Sequence, residues 1–234
     1  MKEDHVEMFN AWFEGNMDLF RLNFAMITLI PKENEAKTTN KFRPFSLLNC
    51  VFNFFTKVLT NRLAGVIGRL ISDFQSAFVR GRYILESVVS AHEVVHAVHS
   101  TSRHGLVFKI DYEKAYDKVN LDFLYEMLAL RGFGSKWIGW IKSITQGGSV
   151  GVKLNGEESD FLLTGKGLRK GDHVAPLLFN LVVDVFCKML VKGSHSGLIR
   201  GLCPELVPGG VMCLQYADDT LLFLEKDSRV ALNL

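Results

Sequence analysis

Two adjacent carboxylates, Asp218 and Asp219, interrupt an apolar, β-prone run that extends from Leu214 to Phe223. Moving carboxylates from water into a strand interior is costly unless a partner compensates their charge. The usual partner is a hard cation with oxygen ligands, normally Mg²⁺. A tight turn between two strands puts both carboxylates at a hairpin tip, where an ion can reach them. The sequence therefore predicts a strand–turn–strand unit with a metal site at its turn.

The composition is typical of a folded protein with one large domain or two subdomains. Of the 234 residues, 48% are hydrophobic and 18 are phenylalanine, which excludes a disordered chain. The most apolar run, Leu22 to Ile30, is too short for a transmembrane helix, and the charged N-terminus is unlike a secretory signal. We therefore expect no membrane partner. Four cysteines without C-x-x-C spacing favour an intracellular location, in the nucleus, the cytoplasm or both.

The charge is unevenly distributed along the chain. Residues 32 to 82 contain nine basic and three acidic side chains, so this segment carries +6 although the whole chain carries only +2. A basic half beside an acidic half suits a polyanion that is held next to a metal site. A solvated basic surface is the simpler alternative, and charge alone does not decide between the two.

The hydrophobic periodicity predicts an α+β fold, because strands and helices mix without a regular βαβ rhythm. The predicted helices are 4–20, Leu47–Leu63, Ile84–His99, Asp122–Arg131 after the cap Asn120, Ser135–Thr145, and Val174–Lys192, which Gly193 would end. The predicted strands are Leu22–Ile30, a buried Leu106–Asp111, Val150–Leu154 and Phe161–Leu163 around an Asn155-Gly156 turn, and the two strands beside the paired aspartates. Residues 32–41 are predicted to be a polar loop or hairpin tip.

A third carboxylate, Asp111, follows a short apolar strand, at a position where a strand residue would ordinarily be hydrophobic. It precedes Asp218 by 107 residues, so only the fold can bring the two together. Three carboxylates in one place would hold the two Mg²⁺ ions of an in-line phosphoryl-transfer site. On spacing alone, unrelated aspartates in surface turns are an equally good interpretation.

Six ordered blocks of the sequence resemble reverse transcriptases of non-LTR (LINE-type) retrotransposons, especially the plant kind. The blocks are Leu22–Lys32, Phe42–Asn49 with Lys57–Leu63, Gln75–Arg82, Asp111–Asp117, Gly167–Asp172 with Pro176–Asn180, and Tyr216–Asp219. The resemblance covers roughly residues 20 to 225, and the conserved order of the blocks makes it more specific than any single block.

The resemblance implies the fingers and palm of a right-hand polymerase, with an antiparallel palm sheet, packed helices and no thumb. Residues 1–20 would form an N-terminal helical extension and 21–234 the reverse transcriptase domain. The fingers would be about 21–105 and 120–165, and a truncated palm about 106–119 and 166–234. The implied activity is RNA-directed DNA synthesis, which adds dNTPs to the 3′-hydroxyl of a DNA primer on an RNA template. Two Mg²⁺ ions would support it, with Mn²⁺ as a possible substitute.

The resemblance also implies roles for individual residues. The catalytic metal ligands would be Asp111, Asp218 and Asp219. The aromatic ring of Tyr116 would exclude a ribose 2′-hydroxyl, and the other nucleotide-binding residues would be Lys32, Arg43, Lys170 and Gly171. A cationic fork suits the triphosphate because charge develops there in the transition state. The residues expected to contact template or primer are Arg80, Arg82, Gly167, Arg169 and Tyr216.

A literal H-E-x-x-H, the zinc-protease signature, lies on a predicted helix at His92-Glu93-Val94-Val95-His96. The two histidines would share one face of the helix, with Glu93 as general base. No third ligand is obvious, because His99 is too close for the long metzincin spacing. A histidine stripe that faces solvent on an amphipathic helix is the alternative interpretation.

The sequence departs from the family pattern close to the expected active site. Lys170 stands where the family has a neutral glutamine, His173 where it has a proline, and Ala175 lacks a hydroxyl that could cap the next helix. The sequence ends 15 residues after Asp219, so we expect a fragment or a decayed copy that binds Mg²⁺ without processive synthesis and aggregates through exposed apolar sheet. A non-catalytic nucleic-acid-binding remnant is the alternative function.

Overall fold

The computed structural model describes residues 2–154 and 156–226 of the chain. Its helices are α1 (Lys2–Glu14), α2 (Cys50–Ala64), α3 (Ile67–Leu70), α4 (Ile84–Ser100), α5 (Leu121–Leu130), α6 (Ser135–Thr145) and α7 (Ala175–His195). Its strands are β1 (Phe24–Pro31), β2 (Phe42–Leu48), β3 (Gly105–Ile110), β4 (Ser149–Leu154), β5 (Glu157–Glu158), β6 (Leu162–Leu163), β7 (Cys213–Tyr216) and β8 (Asp219–Glu225). Short 3₁₀ turns cover Thr39–Lys41 and Tyr116–Lys118.

The chain forms two compact units, and each unit combines two separate stretches of sequence. The first unit contains Met1–Leu63 and Tyr116–Ala175, and the second contains Ala64–Ala115 and Pro176–Leu234. This division groups residues 64–105 with the strands that carry the aspartates, whereas the sequence-based limits assigned them to the fingers. In the described part of the chain, no helix is long and apolar enough to span a membrane.

The first unit is organised around β1. This strand pairs antiparallel with β2 and parallel with β4, and β4 pairs antiparallel with both β5 and β6. Helix α1 joins this unit through aromatic packing: the Trp12 ring lies 5.2 Å from that of Phe55 on α2 and 5.9 Å from that of Trp140 on α6. The Trp12 indole N–H also donates to the Ser143 hydroxyl at 3.1 Å. The N-terminal helix is therefore part of the core of this unit.

The second unit has a three-stranded antiparallel sheet in the order β3-β8-β7. Successive side chains of the central strand β8 point to opposite faces. Leu222 and Leu224 pack in the cluster that contains Cys187 of α7, and Phe223 packs in the cluster that contains Val94 of α4. Strand β8 therefore has a strand neighbour on each edge and a helix packed on each face.

Several predicted elements are confirmed. Helix α6 has the predicted limits, and α4 agrees to within one residue. Asn120 caps α5, since its side-chain oxygen accepts from the Phe123 N–H. Residues 32–41 join two antiparallel strands, as predicted. Asn155 of the predicted Asn155-Gly156 turn lies outside the described residues, and the strands on either side pair through Leu154 and Glu157.

Other predicted limits were wrong. The helix expected from Leu47 starts at Cys50, because the residues before it form β2. This strand was not predicted because it contains Pro44, a residue that is rare within strands. Proline is tolerated there because β2 lies at the edge of its sheet. Helix α1 ends at Glu14 rather than at residue 20, and Gly15 follows it with φ of 86°.

Two further corrections concern the second unit. Helix α7 does not end at Gly193 but continues to His195, and it terminates where Gly197 adopts φ of 71° and the Leu198 N–H donates to the Gly193 carbonyl at 2.9 Å. Strand β3 is not buried: Val107 is 53% exposed, and β3 lies at the edge of the three-stranded sheet. It also ends at Ile110, so Asp111 lies just beyond it.

Candidate active site

The paired aspartates lie at the turn that connects β7 to β8. Tyr216 and Asp219 form the last pair of this antiparallel ladder, and Ala217 and Asp218 are the two turn residues between them. Ala217 has φ of 55°, in the left-handed region that favours glycine. The predicted strand–turn–strand unit is confirmed, and it presents both carboxylates at one end of the sheet.

The register of β3 brings the third carboxylate to the same end of the sheet. Ile110 of β3 is opposite Thr220 of β8. Continuing this antiparallel ladder by one residue puts Asp111 opposite Asp219. Tyr112, the next residue, is half-buried and its hydroxyl is hydrogen-bonded to the Thr220 side chain. Burial is the main cause that raises the pKa of Tyr112 above its ordinary value.

The electrostatic environment of the aspartates differs from the sequence-based expectation. The Asp219 side chain is 62% exposed and pairs with Lys109 at 3.4 Å, Asp111 is exposed, and Asp218 is half-buried. The desolvation free energy of the carboxylates at this turn is therefore much smaller than it would be for two carboxylates inside a buried strand. Lys109 was missed by the sequence analysis, although its position two residues before Asp111 puts it on the same face of β3.

The side-chain positions do not by themselves form a metal centre. Within residues 2–154 and 156–226, no three or more His, Cys, Asp or Glu side chains are grouped so that they could hold a metal ion. The donor chemistry nevertheless fits a divalent ion, since Asp111, Asp218 and Asp219 lie at or just beyond the same end of the sheet and carboxylate oxygens are the ligands that Mg²⁺ prefers.

A second group of expected site residues lies in the first unit, around the turn 167–171. The Leu168 N–H donates to the Tyr116 carbonyl at 2.8 Å, and Lys170 pairs with Asp117 at 3.6 Å. Gly167 has φ of 82°, and a Cβ there would lie 2.6 Å from the Asp117 carbonyl oxygen. The structure therefore brings Tyr116, Gly167 and Lys170 together, and glycine is required by both conformation and space.

The same turn approaches the strand that carries Arg43. Gly171 has φ of 107°, and a Cβ there would lie 2.6 Å from the Ser46 carbonyl oxygen of β2. Lys32 follows β1 at the loop end of the β1–β2 hairpin, where its ammonium group donates to the Asn40 carbonyl at 2.9 Å. Arg43, opposite Ile30 on β2, is exposed near the same end.

Two of the arginines expected at template or primer point into the protein. The Arg169 guanidinium donates to the Asn23 side chain and, at 2.9 Å, to the Ile144 carbonyl, and it lies 5.0 Å from the Phe52 ring centre. Burial lowers the pKa of Arg169. Arg82 donates to the Ser72 carbonyl at 2.7 Å and to four other groups of residues 68–75. The guanidinium groups of both arginines are therefore hydrogen-bonded to other residues of the protein.

The remaining expected contacts, Arg80 and Tyr216, are exposed in the second unit. The expected site residues therefore divide between the two units. The first unit carries Lys32, Arg43, Tyr116, Gly167, Arg169, Lys170 and Gly171, and the second carries Arg80, Arg82, Asp111, Tyr216, Asp218 and Asp219.

The H-E-x-x-H segment lies in the middle of α4. His92, Glu93 and His96 are exposed, whereas Val94 is buried against β8. This arrangement is that of a solvent-facing polar stripe on a helix packed through its apolar face. In the described residues, no third ligand accompanies the two histidines in a group that could hold a metal.

The fold agrees with comparisons to known proteins. The family model described as reverse transcriptase (RNA-dependent DNA polymerase) matches residues 30–234. The chain belongs to the reverse transcriptase family.

Two curated relatives come from retrotransposons. The transposon TX1 uncharacterized 149 kDa protein of Xenopus laevis is 28% identical over 218 residues, which cover 93% of this chain and 16% of the relative. The Pol polyprotein of the type-2 retrotransposable element R2DM of Drosophila melanogaster is 24% identical over 204 residues, which cover 87% of this chain and 18% of the relative. The chain thus spans less than a fifth of the length of these relatives.

Solved structures support the fold. Telomerase from Candida albicans in complex with a telomeric RNA fragment superposes with a TM-score of 0.59 at 10% identity, over 96% of this chain and 43% of that one. Apo telomerase from Candida tropicalis lacking its C-terminal domain gives 0.56 at 12% identity, over 97% and 49%. At these identities the likeness concerns the fold alone, which is the mixed α+β fold of polymerase fingers and palm, as the sequence predicted.

Proposed function

We propose that this chain carries the polymerase active site of a non-LTR retrotransposon reverse transcriptase, an enzyme that adds dNTPs to a DNA primer on an RNA template. The single observation that carries the proposal is the strand register around β8. Continued by one residue beyond the Ile110–Thr220 pair, this register puts Asp111, just after β3, opposite Asp219, at the start of β8 and next to Asp218 in the turn. Two distant segments of sequence thereby supply three carboxylates to one sheet end.

These three carboxylates are the proposed ligands of two Mg²⁺ ions, with Mn²⁺ as a possible substitute. When bound, such ions lower the pKa of an attacking hydroxyl and offset the charge on the phosphate in the transition state. Lys109 pairs with the Asp219 carboxylate at 3.4 Å, and both side chains are largely exposed. Exposed ion pairs contribute little stability, so this pair is easily exchanged for a divalent ion.

The turn 167–171 and its neighbours are the proposed nucleotide site. The Tyr116 ring would exclude a ribose 2′-hydroxyl, and Lys32, Arg43 and Lys170 would balance triphosphate charge. Gly171 permits close backbone approach because a side chain there would strike β2. The Lys170–Asp117 pair holds the lysine that replaces the family glutamine, so Asp117 offsets the additional charge.

Template and primer contacts are assigned to Arg80, Tyr216 and Gly167. The internal hydrogen bonds of Arg82 and Arg169 favour a supporting role, in which each arginine fixes a segment next to the nucleic acid. The limits of fingers and palm are retained as proposed from the sequence, with the palm strands in about 106–119 and 166–234.

A primer-extension assay tests the proposal. With an RNA template and a DNA primer, we expect extension that requires Mg²⁺ or Mn²⁺ and falls about 100-fold or more in Asp218→Asn. Asp160→Asn, which alters an exposed aspartate of the first unit, should retain activity. Extension that persists in Asp218→Asn would refute the assignment of the triad. Binding of an RNA–DNA hybrid without any extension would support the alternative of a non-catalytic remnant.

A further inference from the structure

The side chain of a buried glutamine is hydrogen-bonded to the backbone of the turn that connects β7 to β8. Gln75 has no solvent exposure. Its side-chain oxygen accepts from the Ala217 N–H at 2.9 Å, and its side-chain amide donates to the Ala217 carbonyl at 3.1 Å. Both backbone polar groups of the residue before Asp218 are therefore bound by one side chain.

The two contacts require an amide at position 75. The Gln75 side-chain oxygen also accepts from the Ala77 N–H at 3.0 Å, so this atom faces two donors while the nitrogen faces a carbonyl. The hydrogen-bond pattern thus fixes which end of the amide is which. A glutamate would keep the accepting oxygen but would set a second oxygen against the Ala217 carbonyl. A methionine would have a similar length but could make neither bond.

Gln75 is held in place because its own segment extends the catalytic sheet. The Gln215 N–H of β7 donates to the Phe74 carbonyl at 2.7 Å, and the Ser76 N–H donates to the Gln215 carbonyl at 3.1 Å. Gln75 and Gln215 form a parallel bridge. The segment therefore lies beside β7 as a short additional strand, directly next to the turn.

Helix α7 and Arg82 anchor the same segment from outside the sheet. The Asn180 side chain donates to the Ala77 carbonyl at 2.6 Å, and one Asp184 carboxylate oxygen accepts from the Ser72 N–H at 2.8 Å. Asn180 and Asp184 are fully buried. Arg82 donates to the Gln75 carbonyl at 2.8 Å. Buried polar groups are costly unless they are satisfied, so this network fixes residues 72–77 firmly.

We propose that Gln75 is a positioning residue for the metal-binding turn, which holds Ala217 in its left-handed conformation and thereby sets the direction of Asp218 relative to Asp111. An alanine rarely adopts positive φ, and this one does so with both polar groups bound by a buried side chain. The role of the turn in metal binding rests on the proposed function above. The two hydrogen bonds between Gln75 and Ala217, here called the clamp, do not depend on it.

Amide hydrogen exchange of peptides that cover residues 214–222 tests the clamp without reference to activity. In the wild-type chain the Ala217 N–H should be protected, and Gln75→Met should speed its exchange about 10-fold or more. Gln215→Met is the matched control, because Gln215 is another buried glutamine at the same bridge, and within residues 2–154 and 156–226 its side chain is hydrogen-bonded to the Thr220 hydroxyl alone. It should leave Ala217 protected. Equal exchange in wild type and Gln75→Met would overturn the clamp.

Binding of Mn²⁺, followed by electron paramagnetic resonance, tests the positioning role. We expect Gln75→Met and Gln75→Glu to weaken Mn²⁺ binding about 10-fold, while Gln215→Met binds as wild type does. Adding Ala217→Gly to Gln75→Met should restore part of the binding, because glycine adopts the left-handed conformation of residue 217 without the steric cost that alanine has. Unchanged Mn²⁺ affinity in Gln75→Met, with exchange at Ala217 accelerated, would refute positioning. If Mn²⁺ bound neither wild type nor any variant, the proposed function would fail, and hydrogen exchange would still decide the clamp.

Discussion

Asp218 and Asp219 are adjacent in sequence but occupy different environments. Asp219 starts β8, is largely exposed and pairs with Lys109, whereas Asp218 is a half-buried turn residue that follows the clamped Ala217. As proposed metal ligands the two carboxylates are therefore not equivalent, and Asp218 is the one that directly follows the clamped Ala217.

At the same scale, Asp172 makes a testable contribution to stability. It is buried, and this burial is the main cause that raises its pKa above the ordinary 3.8. The Val174 N–H donates to it at 3.1 Å. Because the folded-state pKa is raised, the unfolded chain ionises first. The stability associated with protonated Asp172 is thus present below the unfolded pKa and is lost as pH rises through the folded pKa.

We therefore expect Asp172→Asn to flatten the pH dependence of stability. The asparagine keeps an acceptor for Val174 but cannot ionise, so it should lose less stability than wild type between about pH 4 and about pH 7. Urea unfolding at both pH values measures this difference. Asp160→Asn, at an exposed aspartate in the same unit, provides the control, and a wild-type-like pH slope in Asp172→Asn would contradict the prediction.

At the scale of elements, the position of β2 in its sheet explains why this strand was missed. Strand β2 accommodates Pro44 because it lies at the edge of its sheet. Strand β3 was expected to be buried because its run is apolar, but the face that carries Val107 is exposed. Both outcomes depend on which elements become neighbours in the fold. By contrast, α6 was predicted to the residue, because its apolar spacing and its turn signals agree.

Helix α1 provides an element-scale prediction, because Trp12 is only 3% exposed. Trp12→Ala should destabilise the first unit by about 3–5 kcal/mol, the usual cost of removing a large buried aromatic side chain. Phe20→Ala, at a residue 60% exposed, should change stability little. The remaining tryptophans, Trp137 and Trp140, both lie in the first unit, so urea unfolding followed by their fluorescence reports on that unit. A Trp12→Ala midpoint equal to wild type would show that α1 is only an appended extension.

At the scale of the whole chain, the basic segment 32–82 contributes fewer available charges than its composition suggests. Arg82 binds backbone carbonyls, Lys41 pairs with Glu33 at 2.5 Å, and the Arg62 guanidinium lies 5.3 Å from the Phe13 ring centre. Several of the nine basic side chains of this segment are thus engaged with other groups of the protein. Exposed side chains such as Arg80 and Arg43 remain for a polyanion.

Arg80 and Arg82 are expected to have different roles. The exposed Arg80 would bind a phosphate, whereas Arg82 supports the fold through its hydrogen bonds to backbone carbonyls. We expect Arg80→Gln to weaken RNA binding and to reduce the slope of log K against log salt by about 0.7–0.9, the value for one lost phosphate contact. Arg82→Gln should instead lower the midpoint of thermal unfolding, because the carbonyls of Ser72 and Gln75 would lose their hydrogen-bond donor. Titrations at several salt concentrations, with thermal unfolding of both variants, measure the two effects. The reverse pattern would contradict this division.

The sequence by itself determined the α+β class, most helices, the hairpin around Asp218 and the family, because local periodicity and short-range turn chemistry are written in consecutive residues. Only the tertiary structure decided the rest. Pairing of β3 with β8 brought the end of β3, and Asp111 just after it, next to the start of β8. The inward contacts of Arg82 and Arg169 were likewise decided by the fold. The bridge between Gln75 and Gln215 set Gln75 against Ala217, a contact between residues 142 apart. No local pattern encodes such a contact, since it depends on which strands become neighbours.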